Sequence, residues 1–195
     1  IARKLFNFFV CDKPVPRDEL IAPLASQLRE TEFDIGQAVK SILSSNLFFS
    51  KHVVGRKIRS PVELGVGLLR ALDSKGNLNE MAERLNILGR QPFYPPNVKG
   101  WDGGRTWINS STLLGRANLV RDLLSGMELE KLPARAGASS PTQIVDWAIE
   151  LLVAVPVGAE ARQPIVRLAQ REQTAQQRIQ NVVHAVGTLP EFHLC

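Results

Sequence analysis

Apolar residues recur at helical spacing along almost the whole of this 195-residue chain, and one 21-residue stretch breaks the rhythm. Steps of three and four residues put apolar side chains on one helix face, so such a chain has to bury helix faces against one another. Ile35, Ala38, Val39, Ile42 and Leu43 follow that step behind Asp34, a residue suited to cap a helix start. Val62, Val66, Leu69 and Leu72 do so behind Ser60-Pro61-Val62-Glu63. There Ser at the cap, Pro at the first helical position and Glu at the third form a capping box. Ser140-Pro141-Thr142-Gln143 uses the same device.

The pattern predicts further helices over 1–11, from Asp18 or Pro16 to about Arg29, and from Asn77 or Asn79 to Gly89. Others are expected from about Ser111 to Gly126, from Ser140 to about Val155, from Pro164 toward Arg171, and near 174–187. Pro14 and Pro16 end the first of these. Gly65 and Gly67 each weaken their helix by about 1 kcal/mol relative to Ala, and the expected reason is close approach of a neighbouring helix. No segment reads as a convincing strand. The expected fold class is all-α, an irregular multi-helix bundle with one long ordered Pro/Gly/Trp loop. The expected organisation is a helical core over 1–126, a linker over 127–140, and a smaller C-terminal helical segment, 141–195, against the core.

The interrupting stretch is residues 90–110. It holds three Pro, three Gly, two Trp, one Phe and the only Tyr. A long segment without regular structure inside a compact domain is uncommon, and it is either ordered by its own side chains or functional. In the structural reading Phe93, Tyr94, Trp101 and Trp107 plug gaps between helices. In the functional reading Trp101 and Trp107 stack a sugar or another flat ligand, and Asn97, Asp102, Arg105 and Asn109 supply hydrogen bonds.

Catalytic signals are sparse elsewhere. His52, His184 and His193 have no metal-ligand spacing, and no nucleophile elbow or phosphate loop is present. No metal or cofactor is expected. Cys11 and Cys195 make neither a disulfide framework nor a metal motif. No apolar run approaches the roughly 18 residues of a membrane helix. Net charge is +5, with 24 Lys and Arg against 19 Asp and Glu. The excess is greatest near Lys51, Arg56, Lys57 and Arg59, a candidate anion or polynucleotide patch. No aromatic residues interleave these charges, so a solvated connector explains them better and nucleic acid is an unlikely partner.

Five phrases carry a family resemblance. They are Ile-Ala-Arg-Lys-Leu-Phe-Asn-Phe-Phe-Val (1–10), Arg59-Ser60-Pro61-Val62-Glu63-Leu64, Pro95-Pro96-Asn97-Val98-Lys99-Gly100-Trp101, Gly103-Gly104-Arg105-Thr106-Trp107-Ile108-Asn109 and Leu189-Pro190-Glu191-Phe192. Together the chain resembles the bacterial domain-of-unknown-function family numbered 1800, most closely its planctomycete-type members, over 1–125 and the last several residues. The resemblance implies a larger, mostly helical, exported bacterial protein, with its His-bearing motifs upstream of the matched part. It implies no reaction. Asp102 stands where members carry Pro, which argues against a general catalytic acid there.

The expected function is a non-catalytic scaffold or binding module of an exported protein (periplasm or cell envelope), although this chain shows no signal segment. Expected partners are the upstream half of the same protein, another exported protein or a cell-envelope glycan. If helix 1–11 packs on upstream helices, an apolar patch around Leu5, Phe8 and Phe9 is expected. Two alternatives belong to other classes. One is an enzyme whose site is shared with an upstream half, to which Asp102, Arg105 and Arg116 contribute. The other is weak polyanion binding through 51–59.

Overall fold

The computed structural model describes residues 1–11, 16–135, 137–172 and 174–195. Pro14, expected to help end the first helix, lies outside the described residues. Among them are ten α-helices and two short 3-10 turns, with no strand longer than a single bridge. The fold is all-α, as the periodicity predicts. The chain divides into two compact units, one of residues 1–57 with Cys195, the other of residues 58–194.

The first unit is built from α1 (Ala2–Phe9), α2 (Asp18–Glu30) and α3 (Ile35–Leu43), each against the other two. Asp34 caps α3, its Oδ1 accepting from Gln37 N at 3.0 Å. Phe6, Val10, Ile21, Leu28, Ala38, Ile42 and Val53 meet in its small core. The turn into α3 has Glu32 and Phe33 at φ 51° and 65°, a left-handed geometry without glycine. Of the patch expected on α1, Phe8 is exposed, while Leu5 and Phe9 pack on the core.

The second unit runs through α4 (Pro61–Ala71), α5 (Leu78–Ile87), α6 (Ser110–Leu124), α7 (Lys131–Arg135), α8 (Pro141–Leu152), α9 (Ala159–Arg171) and α10 (Ala175–Gly187). The 3-10 turns are Gly104–Trp107 and Pro190–His193. Both predicted capping boxes form: Glu63 Oε2 accepts from Ser60 N at 2.6 Å, and Gln143 Oε1 from Ser140 N at 3.0 Å. A third, between Asn109 and Thr112, opens α6. Helices α8, α9 and α10 pack mutually, α10 also meets α6, and α6 meets α4 and α5. Leu64, Leu68, Leu119, Val120, Val145, Val182 and Val183 are fully buried between them, each contributing about 1.5–3 kcal/mol.

The structure departs from expectation in three places. The two compact units divide at 57/58, and the segment 127–140 belongs to the second. That segment contains α7, and its Leu129 and Ala138 enter the same core as α6 and α10. Gln176 of α10 pins it, donating to Met127 O at 2.6 Å and accepting from Leu129 N at 3.1 Å. Helix α9 begins at Ala159, leaving Pro164 inside it. A Cβ on Gly65 would stand 3.3 Å from Met81 Sδ, but nothing lies within 4 Å of one on Gly67. Tighter crossings are at Gly187, where a Cβ would sit 2.7 Å from Val120 Cγ1, and at Gly115, where it would sit 2.7 Å from Leu88 Cδ2. Finally, Ile58 forms an antiparallel bridge with Leu194, and Arg59 N donates to His193 O at 2.8 Å.

Candidate functional site

Helix α5 ends at Ile87 with Leu88 as its C-cap, and Gly89 at φ 76° turns the chain into the aromatic loop. The loop is organised by a residue the sequence reading passed over. The Arg90 guanidinium lies 4.9 Å from the Trp101 ring centroid and 5.2 Å from that of Trp107. A cation between two indoles is held by their electron-rich faces, and both rings are half-buried. The expected plug does not form: Phe93 is 94% exposed and Tyr94 71%, and no aromatic ring of the loop belongs to the core. The core of the second unit is made mainly of aliphatic side chains.

The loop's polar candidates divide. Asn97 Oδ1 accepts from Lys99 N at 2.9 Å, and Asn109 Oδ1 accepts from Thr112 N at 2.9 Å, so both serve local turns. Asp102 is exposed and pairs with Lys99 at 3.5 Å. Arg105 is exposed. Trp101 and Trp107 are thus brought together around Arg90, while Asn97 and Asn109 hold backbone.

The basic candidates divide too. Lys51 and Arg56 are exposed in the first unit. Lys57 is half-buried there, its Nζ donating to Phe8 O and lying 4.7 Å over the Phe8 ring. Arg59 belongs to the second unit, where its guanidinium lies 5.0 Å from the Phe192 ring and Nη2 donates to Leu152 O at 3.4 Å.

A different cluster concentrates unusual chemistry. Arg116 of α6 is 0% exposed. Its Nη2 donates to Arg59 O at 2.9 Å, while Nε and Nη1 are buried without a partner. Desolvation lowers its pKa to about 10, opposed by the Glu63 charge. His193 is 6% exposed, and its buried Nδ1 has no partner. Burial, then the charges of Arg116 and Arg59, push its pKa down to about 4, so the imidazole is neutral at pH 7. Arg116 stands in register with Leu119, Val120 and Leu123, all buried, so spacing alone put it on the core face. Leu113 and Leu114 lie off that face and are exposed. His193 sits on a 3-10 turn and had no periodic signal.

A larger, polar cavity of about 760 Å³ is lined by Asp73, Glu80, Asp122 and Glu128 among others. Among the described residues, no group of three or more His, Cys, Asp or Glu is placed to hold a metal ion. Also among them, no helix is long and apolar enough to cross a membrane.

The Trp-Arg-Trp loop and the buried Arg–His cluster do not by themselves name a class, and the class of the chain is set by family. The model described as a protein of unknown function, DUF1800, matches residues 1–194. The chain therefore belongs to the DUF1800 family, and the match extends through 126–185, where the sequence phrases are weak. Neither the curated proteins nor the solved structures gave a match.

Proposed function

We propose that this chain is a non-catalytic binding module of an exported bacterial protein, and that the loop over 90–109 is its ligand face. One observation carries this reading: Arg90 holds Trp101 and Trp107 as half-exposed rings on a loop that also presents Phe93 and Tyr94 to solvent. Exposed aromatic groups fixed in place give a stacking surface at low entropic cost. The ligand class this suits is a cell-envelope glycan, with sugar faces against the rings and Arg105 and Asp102 at the rim.

Calorimetric titration with soluble peptidoglycan fragments and other envelope glycans tests the reading. Binding should weaken at least tenfold in Trp107→Ala and in Trp101→Ala, with circular-dichroism melting of the helices little changed. Wild-type protein that binds none of the glycans, or variants that bind as well as wild type, would overturn it.

A further inference from the structure

We propose that the second unit contains a separate binding site for a small apolar carboxylate, in the cavity between the start of α6 and the C-terminal turn. It does not depend on the aromatic loop's role. The cavity measures about 410 Å³, within the range of small-molecule sites. Its walls are Ile58, Leu113, Ala117, Pro190, Leu194 and His193. It gives a reason for Leu113, which is 41% exposed on α6 yet turned to an apolar hollow. Thr188 also lines it, but its hydroxyl donates to Ala185 O at 2.8 Å. His193 is the titratable wall residue, and its Nδ1 has no partner.

The electrostatics select the occupant's head group. Arg116 and Arg59 both act on His193, and two Arg116 nitrogens are buried with nothing to bond. An apolar side chain of similar length would fill that space without desolvating a charge, so the guanidinium is not there for stability. Its effect is a positive field on His193, a wall residue of a cavity that Arg116 itself does not line. The other charged groups near this Arg–His cluster are Glu63 on α4, occupied by Ser60 N at 2.6 Å, and Glu191 on the same turn, whose Oε2 is buried without a partner. An entering carboxylate offsets the two guanidinium charges and favours the imidazolium. His193 then takes a proton from solvent and donates it in a hydrogen bond to the ligand, while the apolar tail fills the hollow.

Octanoate is the probe, titrated into the full chain at pH 7 by calorimetry in buffers of different ionisation enthalpy. The expected result is saturable sub-millimolar binding with up to one proton taken up per octanoate, and octanol at least tenfold weaker. Leu113→Trp, which fills the cavity, should abolish binding. His193→Gln should remove the proton uptake and weaken binding about tenfold. If Leu113→Trp does not fold, octanol and His193→Gln still decide. No octanoate binding at millimolar concentration, equal binding of octanol, or unchanged affinity and proton uptake in His193→Gln would each overturn the proposal. Loss of glycan binding in the loop variants with octanoate binding intact would separate the two sites.

Discussion

Among the described residues, the first unit buries eight apolar side chains and leaves eight large ones exposed, Phe8, Phe33 and Phe49 among them. The second buries 25 and exposes eight. Their local helix chemistry is alike: Asp34 caps α3 as Ser140 caps α8. Strain does not separate them either: Glu32 and Phe33 in the first and Asp73 and Phe93 in the second are left-handed, a conformation that costs about 1–2 kcal/mol per non-glycine residue. The lesson is that helix formation and helix burial are separate matters. Caps and periodicity decide where helices start, but among the described residues only the second unit has enough core to bury whole polar side chains such as Arg116 and His193.

The largest effect that bears on this contrast is at Phe192, fully buried and stacked with Arg59. Phe192→Ala should lower the stability of the second unit by about 3–5 kcal/mol, read by urea unfolding with α8–α10 as the reporter. Leu28→Ala in the first unit should leave that transition nearly unmoved. An equal shift of the α8–α10 transition by both variants would break the contrast.

Next comes pH. Unfolded His193 titrates near its ordinary 6.5 and folded His193 near 4, so on acidification the unfolded state takes the proton first. The contribution of this residue is whole above pH 6.5 and is lost as pH falls from 6.5 to 4. It amounts to up to about 3 kcal/mol. His193→Gln should flatten that part of the stability–pH curve; an unaltered slope would show that the histidine is not buried as described.

The smallest effect sharpens the comparison further. Ser140→Ala and Asp34→Ala each remove one cap, worth about 1 kcal/mol. Local hydrogen exchange should register the first across α8–α10 and the second over α1–α3 alone.

Much of this was legible. Asp34, Ser60, Asn77 and Ser140 cap the helices the sequence assigns to them, because a cap needs only its own next three residues. What failed depends on distant neighbours. Whether Gly67 or Gly187 meets another helix is decided by residues 50 or more positions away, as Val120 is from Gly187. Phe93 and Tyr94 look like core by residue type, but both are exposed and the core of the second unit is mainly aliphatic. The ligand face was only half readable. Trp101 and Trp107 stood out, whereas Arg90, which joins them, looked like one more charge after a helix. Arg116 was named only as a contributor to a shared enzyme site although its spacing on α6 marks the core face, and His193 was hidden by the lack of any period in a four-residue turn.

The claim beneath all of this is that the second unit is the self-sufficient framework and the first the weaker one. Native-state hydrogen exchange on the intact chain measures it directly. The account predicts that amides of Val145, Ala148, Val182 and Val183 exchange only through global unfolding, while those of α1–α3 exchange through an opening of distinctly lower free energy. Equal protection of both sets, or earlier exchange from α8 and α10, would contradict it.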